Sequence, residues 1–265
     1  MKKSLFLVLT ACVSAVAADP PKQIDIHGLD HGATVIQDVV IPEPSEIFGV
    51  LDKLGRPNWP EVLHPIKGTI KPPGPREQTA ILLGTVIAEG FIAVEAENAE
   101  EVKNIGRSVL SLSKAIGVER AVVPRTKAII DGADKKEWAG VRKELDKAQH
   151  DVQQAMRELG DADLSQLVSL GGWLRGTEAL TAVVKKKYTE DGAELLHQPV
   201  LLDYFHRRLD SMKKKDNPMV LKMREGLEEI RPLMGTEGST ISEKAAVKIG
   251  STAERLDTLI HSKQN

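Results

Sequence analysis

The chain holds a single cysteine, Cys12. No disulfide can close within it, and no multi-cysteine zinc or iron–sulfur site can form. Aromatic residues are scarce: nine in 265, one of them Phe6 near the start. A wide sugar-stacking cleft or a base-stacking surface is hard to build from the other eight. Basic charge is not in excess either. The formal net charge is −2, and setting aside Lys2 and Lys3 leaves 34 basic against 38 acidic side chains. That is not the footprint of a nucleic-acid binder, and no nucleic-acid partner is expected. Proline almost vanishes after residue 75. Ten of the fourteen prolines fall between Pro20 and Pro75, and only Pro124, Pro199, Pro218 and Pro232 follow. The early part therefore cannot be continuous helix, whereas the rest can.

What is present is ordinary globular chemistry, 41% apolar and 28% charged, enough for one large domain or two small ones. Residues 1–18 read as an export signal of bacterial type, which places the protein in the periplasm or outside the cell. Lys2 and Lys3 supply the positive start, and Leu5 to Val16 form an apolar run too short to span a bilayer. Ala15-Val16-Ala17 is a small-x-small cleavage pattern, followed by Ala18 and the helix-hostile Asp19-Pro20-Pro21. Leu9-Thr10-Ala11-Cys12 has the residue types of a lipobox, which would put a lipid anchor on Cys12. Val13 to Ala18 stay small and apolar where a lipoprotein tether turns polar, so cleavage near Ala17/Ala18 is the favoured reading. No transmembrane helix is expected in the mature chain.

Residues 19–75 read as a proline-rich arm. Ile24 and Ile26 alternate with polar residues, Gly28 and Gly32 bracket a turn, and Thr34 to Ile41 is β-branched, which permits a short hairpin. One short helix is expected over Glu46 to Leu54. Residues 57–75 should lie extended over the body, anchored by Trp59, Val62, Leu63 and Ile66.

Residues 76–265 read as a helical domain, an irregular all-α bundle or array of about eight helices, with no strand after residue 75. Asn98 with Glu101, Asp134 with Glu137, and Thr240 with Glu243 are capping-box-like pairs. Asn217-Pro218 is an N-cap followed by proline at the first helical position. Thr189 opens a short helix, and another spans Val200 to Lys215. Trp138, Val141, Leu145 and Ala148 have the spacing of one tetratricopeptide helix. No period of about 34 residues recurs, so they are read as a core-facing stripe.

Two segments are apolar on every face. From Thr79 to Ala88 there is no charged residue, and Glu89 is followed by another apolar run to Val94. Between Asp163 and Lys185 the only charges are Arg175 and Glu178. Helices of this kind sit at the centre of a bundle. An unpaired buried charge is costly, so Glu89 needs an arginine. Arg175 is one partner, and Arg107, flanked by Ile105-Gly106 and Val109-Leu110, is the alternative. Arg175 and Glu178 are three apart on one helix face and can also pair locally.

Glu89, Arg107, Arg175 and Glu178 thus form the candidate polar cluster. It is read first as a register-fixing ion-pair network, and alternatively as a pocket with an acid/base and anion clamps. Gly84 with Ala88 and Gly172 with Gly176 give small-residue stripes suited to close helix crossing. His27 and His31, with Asp25 and Asp30, are metal-ligand types close in sequence. Gly28 and Gly32 argue against a helix there, and a solvated turn is the reading.

No cofactor is expected. The sequence points to a secreted or periplasmic helical protein that binds or scaffolds an unidentified protein or small molecule without catalysis. The alternative is an enzyme or small-ligand carrier using the Glu/Arg cluster.

Overall fold

The computed structural model describes residues 34–36, 39–41, 57–235 and 239–262. The leader, Cys12, His27, His31 and the helix expected over 46–54 lie outside the described residues. Two three-residue strands, β1 (Thr34–Ile36) and β2 (Val39–Ile41), pair antiparallel with Thr34 opposite Ile41. The β-branched stretch Thr34 to Ile41 thus contributes both strands of this pair, while the turn expected at Gly28–Gly32 lies outside the described residues.

The other regular elements among the described residues are helices. The order is α1 (Trp59–Val62), α2 (Arg76–Glu95), α3 (Ala99–Ile116), α4 (Glu119–Asp134), α5 (Trp138–Glu158) and α6 (Ala162–Lys186). Then come α7 (Glu190–Glu194), α8 (Pro199–Ser211), α9 (Pro218–Ile230), a 3₁₀ turn (Arg231–Leu233) and α10 (Glu243–His261). The protein is an all-α multi-helix bundle, and no strand follows Ile41 among the described residues.

Its centre is the pair α2 and α6. Every residue of α2 from Glu77 to Val94 is buried, by α6 together with α3, α5, α10 and the α1 segment. By length and composition alone α2 could cross a membrane, yet here it is enclosed by protein. The reason is its lack of a polar face, which leaves no side for water. By contrast, α3, α5 and α10 each bury one stripe, such as Val141, Leu145, Ala148, Val152 and Met156 on α5. Leu83, Val86, Ile87, Phe91, Leu167, Leu170 and Leu174 are buried in one core. Val183 is only partly buried; Val184 takes the inward place.

The α2–α6 crossing is close enough for backbone contact. A Cβ added at Gly84 would lie 2.0 Å from the Val168 carbonyl oxygen, and one at Gly171 would lie 2.0 Å from that of Ile81. Only glycine fits either place.

Several helix ends differ from expectation. Asn98 caps α3 by accepting from the Glu101 N–H, Thr189 caps α7, and Asn217 caps α9 from Met219 and Val220. Asp134 is no cap. It closes α4, a helix that no capping residue announces, since its N-cap is Val118, and that carries Pro124 inside it. Pro124 is exposed, so the carbonyl its ring leaves unpaired faces water. Ser242, two residues later than Thr240 suggested, caps α10. Helix α8 stops at Ser211, so Lys213–Lys215 lie in the following turns.

Candidate functional site

The arm over residues 57–75 explains how the cluster is built. Trp59, Val62 and Leu63 are buried, and Ile66 and Ile70 pack against the core. A segment outside regular structure can be buried only if its backbone donors find acceptors. They find them on α2 and α3. The His64 N–H donates to Glu89 Oε1 (2.5 Å), the Ile66 N–H to Glu101 Oε1 (2.5 Å) and the Ile70 N–H to Ser108 Oγ (3.0 Å). Glu101 and Ser108 are two turns apart on one face of α3. Glu101 therefore serves the arm, while the capping of α3 rests on Asn98.

At the centre, Arg175 donates through Nε to Glu89 Oε2 (2.5 Å) and through Nη2 to the Val62 carbonyl (2.7 Å). Arg175 is 2% and Glu89 4% exposed, so this is an interior ion pair. Both Glu89 oxygens are occupied. Burial pushes the Glu89 carboxyl upward, opposed by the Arg175 charge and by the two N–H donors. Burial alone would also lower Arg175, but Glu89 and Glu178 more than offset it and hold it charged.

Glu178 lies one turn along α6, its Oε2 3.7 Å from Arg175 Nη1 and its Oε1 3.6 Å from His64 Nε2. Burial, reinforced by the like charges of Asp257, Glu89 and Glu254, pushes it up to about 7 despite Arg175. His64 is held below its usual value, by burial first and by the Arg175 charge second. On α10, His261 Nδ1 sits 3.4 Å from Asp257 Oδ2. Burial pulls His261 down, but its bond to Asp257 and that charge raise it overall.

Of the residues singled out from sequence, Glu89, Arg175 and Glu178 come together. Arg107 does not, which corrects that expectation. Its side chain is exposed, donates to Asn104 Oδ1 (2.5 Å) and lies 3.8 Å from Glu100. Its apolar sequence neighbours Ile105, Gly106 and Val109 are buried on the other side of α3. Adjacency along a helix does not share a face. Sequence reasoning missed His64, Glu101, Asp257 and His261. Asp257 left a readable sign: it follows Leu256 within the stripe Ile249, Ala253, Leu256 and Ile260, where solvent-facing acids are not found.

The arrangement has two layers. The inner pair, Glu89 and Arg175, fastens the arm to the two central helices. The outer group, His64, Glu178 and Asp257, brings one imidazole and two carboxylates from the arm, α6 and α10 to a common place. Comparison with protein-family models, curated proteins and solved structures yields no match.

Proposed function

We propose that this is an exported, non-catalytic helical protein that works by binding or scaffolding, with the Glu89–Arg175 pair as a structural clasp. One observation carries the reading. Both oxygens of Glu89 and two of the three guanidinium nitrogens of Arg175 are taken by groups of the chain itself. An acid/base needs a free oxygen facing its substrate, and Glu89 keeps none; the remaining Arg175 nitrogen, Nη1, faces Glu178 of the same helix. Export is supported by the charged start, apolar run and Ala15-Val16-Ala17 pattern of the leader. The enclosure of α2 by other helices supports a mature chain without a membrane span.

The test is the unfolding of Glu89 variants in urea. Glu89→Gln keeps the shape and weakens the bonds to Arg175 and the His64 N–H. Glu89→Ala removes the acceptor, leaves a cavity and strands a buried cation, and should cost about 3–5 kcal/mol. The expected order of stability is parent, then Gln, then Ala. A gain in stability from either change would mark a strained, functional carboxylate and put an enzyme or ligand carrier ahead of the scaffold. The mass of the exported protein checks the leader: it should begin near Ala18, and a lipid adduct on Cys12 would overturn ordinary cleavage.

A further inference from the structure

We propose that His64, Glu178 and Asp257 bind a divalent cation of the zinc class at the outer edge of the polar cluster. The three residues come from the arm, α6 and α10. A ligand atom from each lies within 4.8 Å of the others, and His64 Nε2 and Glu178 Oε1 are already 3.6 Å apart. Metal–ligand bonds of about 2.0–2.2 Å set ligand atoms about 3–4 Å from one another. The required adjustment falls on the side chain of His64, which is half exposed.

A second, independent observation points the same way. Glu178 and Asp257 are each only 8% exposed, and each keeps a buried carboxylate oxygen, Glu178 Oε2 and Asp257 Oδ1, without a hydrogen-bond partner. Buried oxygens are nearly always satisfied, so each of these two has an unused place for a donor or a cation. Arg175 does not supply it. Its Nε and Nη2 are committed to Glu89 and Val62, and its Nη1 stands 3.7 Å from Glu178, beyond a hydrogen bond. His261 engages the other oxygen of Asp257. Three carboxylates, Glu89, Glu178 and Asp257, act on the Arg175 guanidinium, with His261 beside Asp257 alone, and a divalent cation adds positive charge on the side where Glu178 and Asp257 meet His64.

The donor set selects the class. One imidazole nitrogen with two carboxylate oxygens suits zinc or a neighbouring borderline metal. Calcium and magnesium prefer all-oxygen sets, and copper(I) prefers sulfur. Three protein ligands leave a further position for water or another ligand, as in open zinc sites. The cation would join three segments far apart in sequence. The inference does not depend on the scaffold reading, and its failure would leave the stability order of the Glu89 variants unchanged.

The experiment is zinc titration by calorimetry of the untagged protein after chelator treatment and dialysis. The parent should take up one equivalent at this site. His64→Ala and Asp257→Asn should each weaken that binding by at least about tenfold. His206→Ala should leave it unchanged, because His206 faces Asp210 and Glu228 elsewhere on the surface. Both test variants spare the Glu89–Arg175 pair and the His64 backbone donor, and circular dichroism confirms their fold. Cobalt(II) gives a second readout, a visible absorption band that should change in His64→Ala. A parent that takes up no zinc, test variants that bind as the parent does, or an equal loss in His206→Ala would each overturn the site.

Discussion

A carboxyl group that titrates near neutrality stores a dependence of stability on pH. Glu178 is such a group, pushed up to about 7 by burial and by the charges of Asp257, Glu89 and Glu254. In the unfolded chain it titrates at its ordinary value near 4.5. The native state holds the proton more tightly, so the contribution of Glu178 is fully present below 4.5 and is lost as pH rises through about 7. Glu178→Gln stays neutral throughout. In chelator-treated protein, the stability of the parent relative to this variant should fall across that window, by on the order of 1–3 kcal/mol, and then level off. Urea unfolding at about pH 5 and about pH 8 measures it. A flat difference would mean that the carboxyl is not held in a low-dielectric site. At this scale the sequence spoke where side chains had nowhere else to go. Glu89 and Arg175 stand in runs without other charges, so their meeting was legible. Arg107 was misjudged because its apolar neighbours lie on the opposite side of an amphipathic helix. His64 sits in a segment whose path no periodicity describes.

Helices meet as closely as their smallest residues allow, and the α2–α6 contact is set by two of them. With Cβ positions 2.0 Å from a facing carbonyl, Gly84 and Gly171 cannot carry even a methyl group unless the helices separate. Gly172 is different: its added Cβ would meet nothing closer than the Gly84 oxygen at 3.7 Å, an ordinary contact. Gly84→Ala and Gly171→Ala should each lose at least about 2 kcal/mol through overpacking. Gly172→Ala should be neutral or gain up to about 1 kcal/mol from helix propensity. Thermal unfolding of the three variants decides it, and equal behaviour of Gly171→Ala and Gly172→Ala would show that the crossing is looser than described. Of the stripes read from the sequence, Gly84 lies at the crossing, whereas Gly171 takes the place expected for Gly172. Which member of the Gly171-Gly172 pair faces the partner was not visible in the sequence, since that depends on the rotational phase of two packed helices. Helix α4 was missed for a related reason. Its buried positions Val122, Thr126, Ile129 and Ala133 keep helical spacing, but Pro124 is a breaker by rule and is tolerated here because it points to solvent.

At the scale of the whole described body, two segments close over the central helices: the arm over residues 57–75 and the last turn of α10. Near the end of the described chain, the carbonyls of Ile260 and Ser262 accept from the Gln78 side-chain amide at 2.8 and 2.7 Å. That amide satisfies helix-terminal acceptors and holds α10 against α2. The arm is held by three backbone donors, at His64, Ile66 and Ile70, seated on side chains of α2 and α3. Such a segment opens as a unit when one of its acceptors is removed, because its apolar anchors are few. Glu101 is the place to test this, since it lies away from Arg175 and its loss leaves no stranded cation. Glu101→Ala withdraws a charge-assisted bond of about 1.5–3 kcal/mol from the arm. Lys67, exposed beside Ile66, then reports the opening, and trypsin should cut after it about tenfold faster or more, while the helical body resists as before. Glu101→Gln, whose amide oxygen can still accept, should restore most of the protection. Equal rates at Lys67 in parent and Glu101→Ala would show that the apolar anchors and the bonds at Val62, His64 and Ile70 hold the arm without Glu101. Rapid cutting throughout α2 and α3 would instead show that arm and body unfold together, which makes the arm part of the core.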